Sequence, residues 1–274
     1  MKERHLIALD LDGTLLTDEK SISERTKNTV LEAIAQGHIV CIATGRPHRA
    51  SIDYYNEMGL NTPMVNFNGA LIHHPKDHRW DALHSPLGIR TAKKIIHQCY
   101  QLGVKNILAE VKDKVYLDRQ DEEIMKIFHN SDEHPIKIGS LQNNLLEDPT
   151  SLLIHPEEDK IQALRKELDN HASLIEHRKW GAPWHVIEIV KAGLNKAVGL
   201  EKIARYYHIP KERIIAFGDE DNDLEMIDYA GVGVAMGNAI DELKNLADYV
   251  ADTNEQDGIS EFLTDYLKLN KQAM

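Results

Sequence analysis

The sequence predicts an α/β protein: a parallel sheet with flanking helices, interrupted by an inserted α+β module. Three observations carry this expectation. Short apolar runs at Leu6–Leu9, His38–Ala43 and Arg213–Phe217 each end in a turn signal, as buried strands of a parallel sheet do. Each is followed by residues at helical spacing, the alternation of β-α units. Between about Pro86 and Ile187 the pattern changes to helices mixed with alternating strands, and afterwards the first pattern resumes. The reading therefore assigns residues 1–85 and 188–274 to one domain and 86–187 to an inserted one.

The first run sets the terms for the rest. His5-Leu6-Ile7-Ala8-Leu9 leads straight into Asp10-Leu11-Asp12-Gly13-Thr14. Ligands of open α/β sheets bind beyond the carboxyl ends of the strands, which puts the two aspartates at the mouth of a site. On a regular strand, residues i and i+2 share a face, and two carboxylates that close repel unless a cation lies between them. A hard divalent ion such as Mg2+ takes oxygen ligands and leaves one carboxylate free as a nucleophile. Taken alone, the stretch is read equally well as an Asp-Gly turn after an edge strand.

Ser21-x-x-Glu24 has the form of a capping box, with Ser23 as the alternative cap, and a helix with Val30, Leu31 and Ile34 on one face ends at Gly37. His38–Ala43 is the second strand. It delivers Thr44-Gly45-Arg46, with Pro47 in the first turn of a helix running to about Gly59. A threonine hydroxyl and a glycine amide at such a junction suit an oxyanion, and Arg46 adds charge. The competing reading is a plain capped turn. Met64–Ile72 reads as a third strand bent at Asn68-Gly69. The His73, His74 and His78 cluster reads as an exposed hairpin or linker rather than a metal site.

In the inserted region, Ile89 to Leu102 is an amphipathic helix closed by Gly103, and Asn106–Val111 with Lys114–Arg119 form a hairpin. Ile124–His129 is a short helix, Ser151–His155 a strand and Glu157–Leu168 a helix. Strands at 174–176 and 185–189 flank Trp180 to Trp184. Beyond the insert, Lys196 opens a helix that runs to Tyr207. A lysine there opposes the helix dipole, so it is either freely solvated or facing something anionic. Arg213–Phe217 then delivers Gly218-Asp219-Glu220-Asp221-Asn222-Asp223. Such a run repels itself unless cations bind or the acids are solvated. Asp219 falls at the strand end and Asp223 in the first turn of the next helix, with Glu220 and Asp221 solvated or capping.

With a formal charge of −12, a nucleic-acid backbone is not the expected partner, although a small phosphate ester can still be drawn to local positive charge. Cys41 and Cys99 lie in different predicted elements, outside any C-x-x-C pattern, and read as buried thiols. With no signal peptide and no long apolar run, a cytoplasmic, membrane-free protein is expected, as a monomer or homodimer.

Four signals in order resemble motifs I to IV of the haloacid dehalogenase superfamily: Asp10-Leu11-Asp12-Gly13-Thr14-Leu15, Thr44-Gly45-Arg46, Lys196, and Gly218-Asp219-x-x-Asn222-Asp223-x-x-Met226. The length and mixed pattern of the insert resemble the Cof-type branch with a C2 (type IIB) cap. The resemblance covers the whole chain and implies a Rossmann-like core with an inserted cap. It implies Asp10 as the nucleophile and Asp12 as the general acid/base. It implies Mg2+ held by Asp10, Asp219 and the Asp12 carbonyl, with Asp223 behind them. Thr44 with the amides of Leu11 and Gly45 would cradle phosphate, Lys196 and Asn222 would bind phosphoryl oxygens, and Arg46 would contact substrate. The expected activity is hydrolysis of small phosphorylated metabolites through an aspartyl-phosphate, with sugar phosphates as the leading class and the insert as a lid. Trp180, Trp184 and His185 are cap core or lining. A phosphomutase or phosphotransferase on the same site is one alternative. A non-catalytic phospho-aspartate sensor is the other.

Overall fold

The computed structural model describes residues 3–127, 135–179 and 186–269. The chain divides into two compact units, one built from residues up to Leu83 and from Asn195 onward, the other from His84–Leu194.

The first unit holds a five-stranded parallel sheet in the order Tyr249–Val250, Val232–Ala235, Ile214–Gly218, Leu6–Leu9, Ile39–Ile42. Leu6 pairs with Ile214 on one side and Ile39 on the other, so the opening strand is central. Its four residues are all buried, because helices cover both faces. Alternation sorts them. Ile7, Leu9, Val40, Ile42, Ile215 and Phe217 join one core cluster, with Val30 and Ala33 from the helix Glu24–Ala35 and Ile259 and Leu263 from Gly258–Tyr266. Leu6, Ala8, Cys41, Ile214 and Ala216 face the other way, onto Leu200 and Ile203 of Lys196–Tyr207 and Met226 of Leu224–Tyr229. Each fully buried aliphatic side chain here is worth roughly 1.5–3 kcal/mol.

Local signals resolve as follows. Ser23, not Ser21, caps the first helix, its hydroxyl accepting from the Thr26 amide at 3.1 Å. After Pro47 the chain makes a 3-10 turn, His48–Ala50, before the short helix Ile52–Glu57, rather than one continuous helix. The expected third strand is a correction. Met64–Asn66 and Leu71–His73 pair antiparallel around a turn at Phe67–Gly69, and the hairpin meets the end of the second parallel strand through a bridge from Val65 to Ala43 and the Thr44 amide donating to the Val65 carbonyl. His73 Nε2 lies 3.0 Å from Asn66 Oδ1, and His74 Nδ1 accepts from the Lys76 and Asp77 amides, so both rings are held by their own turn.

The second unit is a six-stranded sheet in the order Ile175–Lys179, Ile187–Lys191, Ser151–His155, Asn106–Val111, Lys114–Leu117, Ile136–Ile138. Its pairs are antiparallel except the last. The helices Ile89–Leu102 and Ile161–Asp169 bury Ile95, Ile96, Cys99, Leu164 and Leu168 against one face. Ile136–Ile138 and the turn of helix Leu141–Asn144 were not anticipated. Trp180, Trp184 and His185 lie outside the described residues. Cys41 and Cys99 are both buried, and burial pushes their thiols up to about 12. Among the described residues no helix is long and apolar enough to cross a membrane.

Candidate active site

Parallel strands present their carboxyl ends along one edge, so residues far apart in sequence meet there. The opening strand ends at Leu9, and Asp10 follows at once. The strand Ile214–Gly218 delivers Asp219 after it, and the helix that starts at Lys196 points its first side chain at Asp10 and Asp223. Asn195 caps that helix, accepting from the Val198 amide at 3.1 Å.

Lys196 is fully buried. Its Nζ donates to Asp10 Oδ1 at 2.6 Å and to Asp223 Oδ1 at 2.7 Å. Of the two readings open for this lysine, solvated or facing an anion, the second holds. The other Asp223 oxygen accepts from the amides of Asp219, at 3.0 Å, and Glu220, at 3.2 Å. Glu220 and Asp223 form a reciprocal capping box, so the acidic run is partly a cap. Asp219 Oδ1 accepts from the Thr14 hydroxyl at 2.9 Å. Two glycines make room. A Cβ on Gly13, where φ is +72°, would sit 2.1 Å from Asp219 Oδ2, and one on Gly218 would sit 2.4 Å from the Asp223 carboxyl carbon.

Asp10, Asp219 and Asp223 each bring a carboxylate oxygen within 4.8 Å of the others, and all three are buried. Three carboxylates against one ammonium leave two formal negative charges out of water, an unfavourable arrangement without a cation. The strain shows in the protonation equilibria. Burial, with Asp223 and Asp12 adding to it against the pull of Lys196, pushes Asp10 up to about 7. Burial, with Asp10 and Asp223, pushes Asp219 up to about 8. Burial opposes the charge on Lys196, but Asp10 and Asp223 outweigh it and raise its pKa. A hard divalent cation with all-oxygen ligands fits this donor set and charge; Mg2+ is such an ion.

Asp12 is not in that cluster, and the same-face argument made for it fails. The chain leaves the strand at Leu9 and turns, with the Leu11 carbonyl accepting from the amides of Thr14 and Leu16. The Asp12 carboxylate instead meets Arg46 through paired hydrogen bonds, Nε to Oδ2 and Nη2 to Oδ1, both 2.6 Å, and Lys20 Nζ at 2.8 Å. Burial works against its charge, but Arg46 and then Lys20 outweigh it and hold the carboxyl at about 2. Arg46, expected as a substrate contact, is thus committed to Asp12 in this structure.

Thr44 is buried, and its hydroxyl accepts from the Arg46 amide at 3.1 Å. Gly45 lies against Asn68, whose side chain would be 3.2 Å from a Cβ there. The Asn222 carboxamide donates to Asn68 Oδ1 at 3.0 Å. The residues to which sequence reasoning gave no site role are Lys20, Thr14, Asn195 and Asn68. Two of them carried a signal: Thr14 within the first motif, and Asn68 in the Asn-Gly pair read as a bend.

A family model described as haloacid dehalogenase-like hydrolase matches residues 7–263. The chain is 53% identical over 266 residues to 5-amino-6-(5-phospho-D-ribitylamino)uracil phosphatase YitU of Bacillus subtilis, covering 97% of this chain and 98% of that one. It is 31% identical over 269 residues to YcsE of the same organism, a phosphatase of the same named substrate, covering 93% and 92%. A crystal structure of a haloacid dehalogenase-like hydrolase from Bacteroides thetaiotaomicron superposes with a TM-score of 0.83 at 26% identity, over 96% of this chain and 100% of that one.

Proposed function

The chain belongs to the haloacid dehalogenase-like hydrolase family, in its Cof-type branch, and from that premise we propose a Mg2+-dependent phosphatase of small phosphorylated metabolites. The observation that carries the reading is the buried cluster of Asp10, Asp219 and Asp223 around Lys196. Hydrolysis of a phosphate monoester is among the slowest uncatalysed reactions, and general acid/base help supplies only about 10^2–10^4 of the acceleration needed. Positive charge on the phosphoryl oxygens must supply much of the rest.

On this reading Asp10 attacks phosphorus. The new bond runs from its carboxylate oxygen to phosphorus, and the bond to the leaving oxygen breaks. Asp12 gives its proton to that oxygen. In the second half Asp12 takes a proton from water, the water oxygen attacks the aspartyl-phosphate, and inorganic phosphate leaves with Asp10 restored. Arg46 and Lys20 hold Asp12 as the anion, the form the second half requires, so Asp12 takes up from solvent the proton it gives in the first half and returns to solvent the one it takes from water when phosphate leaves. Lys196, Thr44, Asn222 and the amides of Leu11 and Gly45 are assigned to the phosphoryl oxygens. Asp10, Asp219 and the Asp12 carbonyl, with Asp223 behind, would hold Mg2+, which would supply positive charge for the phosphoryl oxygens.

For the substrate we propose 5-amino-6-(5-phospho-D-ribitylamino)uracil, on the strength of the 53% identity to a protein named for that activity. The phosphate in that molecule is an ester on a reduced-sugar chain, which narrows the sugar-phosphate expectation to a polyol phosphate joined to a heterocycle. We assign discrimination among leaving groups to the inserted unit, His84–Leu194. The test is kcat/KM for this compound against simple sugar phosphates, nucleotides and cofactor phosphates with Mg2+ present. A preference of tenfold or more for it supports the assignment; a higher value for a simple sugar phosphate removes it and leaves the phosphatase class standing.

A further inference from the structure

We propose that Asn68, on the turn Phe67–Gly69, is a positioning residue that sets Asn222 for the phosphoryl group; this rests on the phosphatase reading above. The turn is unusual. Phe67, Asn68 and Gly69 take φ of +50°, +51° and +97°, three consecutive left-handed residues of which one is a bulky aromatic. Such a conformation costs energy and persists only where its surroundings impose it. Here they do so from three directions. The Phe67 amide donates to the Arg46 carbonyl at 3.3 Å, and the Asn68 amide to the Thr44 carbonyl at 3.2 Å. Buried Asn66 donates through its side chain to the Arg46 carbonyl at 2.9 Å. A Cβ on Gly69 would stand 2.3 Å from the carbonyl oxygen of Asn195, the residue just before Lys196.

The turn therefore touches the Thr44-Gly45-Arg46 segment and the start of the Lys196 helix. Through the Asn68 side chain it also touches Asn222. These are three of the four places where phosphate-handling residues were expected, and they come from three distant stretches of chain. Asn68 is buried, and its carboxamide oxygen is the acceptor that orients the Asn222 amide. Asn tolerates the left-handed backbone better than most residues, which reconciles the turn with a polar side chain at this point.

The test is a double-mutant cycle read by phosphate binding as well as turnover. Asn68→Gly keeps a residue that adopts φ of +51° at no steric cost, so the turn survives and a melt within a few degrees of wild type checks it. Asn222→Ala and the double variant complete the cycle. Dissociation constants for inorganic phosphate are measured by titration calorimetry in Mg2+, and KM and kcat on an ester that the wild type hydrolyses. Losing the oriented hydrogen bond is expected to weaken phosphate binding about tenfold in Asn68→Gly. The double variant should be no weaker than Asn222→Ala alone, because Asn68 acts through Asn222. Unchanged affinity in Asn68→Gly, or losses that multiply in the double variant, would overturn the inference. A wild type that binds phosphate more tightly than Asn68→Gly yet hydrolyses no ester would remove the phosphatase reading and leave the positioning role intact.

Discussion

Lys196 Nζ stands 2.6 Å from Asp10 Oδ1, although 186 residues separate them and Lys196 follows the whole inserted unit. The pair is buried and shared with Asp223, so it is both a structural joint and part of the proposed chemistry. Removing the lysine leaves two carboxylates buried beside each other without their cation. Lys196→Met is expected to lose turnover and to destabilise the metal-free protein by about 3–5 kcal/mol in denaturant unfolding. Saturating Mg2+ should return part of that stability, since a ligand that binds only the folded state stabilises it.

The metal-free protein should be less stable at pH 8 than at pH 5. Asp10 and Asp219 have folded-state values of about 7 and about 8, above their ordinary 3.8. A carboxyl whose pKa is raised on folding contributes stability that is fully present below 3.8 and lost as pH rises through the folded value. Asp12 has the opposite sign. Held at about 2, its contribution is present above 3.8 and lost as pH falls through 2. Melting temperatures in EDTA should therefore fall between pH 5 and pH 8, and Mg2+ should flatten that slope. A metal-free melting temperature that rises across the same interval would contradict the assignment.

Gly13→Ala is expected to raise the Mg2+ concentration for half-maximal activity at least about tenfold, because the new Cβ would fall 2.1 Å from Asp219 Oδ2 and displace it. The left-handed φ of +72° adds roughly 1 kcal/mol of backbone cost for alanine. A Mg2+ titration of initial rates separates the two effects, since the backbone cost lowers the melting temperature without changing the metal requirement of the folded enzyme.

Arg46→Lys should move the acid limb of the pH–rate profile upward. The paired hydrogen bonds from Nε and Nη2 to Asp12 cannot be reproduced by a single ammonium, so the hold on the anion weakens and the Asp12 pKa rises from about 2 toward 3.8. An acid limb that does not move would mean that Asp12 is not the group whose charge it reports.

The parallel sheet was legible because its strands are short apolar runs punctuated by turn residues. That Asp10, Asp219, Asp223 and Lys196 matter together was legible because acids and a lysine sat where packing alone would not put them. What escaped had physical reasons. Met64–Ile72 carries Asn68-Gly69, read as a bend within one strand, whereas that pair sits in a reversal of direction; the hairpin also depends on left-handed Phe67, which no propensity favours. Lys20 reaches Asp12 from an exposed, polar connection that reads as solvent-facing. Asp10 and Asp12 looked like one pair because the strand was expected to continue past Leu9, whereas the turn there sends one inward to Lys196 and the other to Arg46. The partner of Lys196 could be posed only as an alternative, since nothing local says which side of a helix start is buried.

The central claim is that Asp10 takes the phosphoryl group. The most direct measurement is phosphate release from 5-amino-6-(5-phospho-D-ribitylamino)uracil by the wild type and by Asp10→Asn, both with Mg2+ and with the fold of the variant checked by its melt. Wild-type turnover should be abolished by EDTA and absent from Asp10→Asn, and acid-quenched wild type should carry phosphate on the peptide containing Asp10. Turnover by folded Asp10→Asn within tenfold of wild type would contradict the claim.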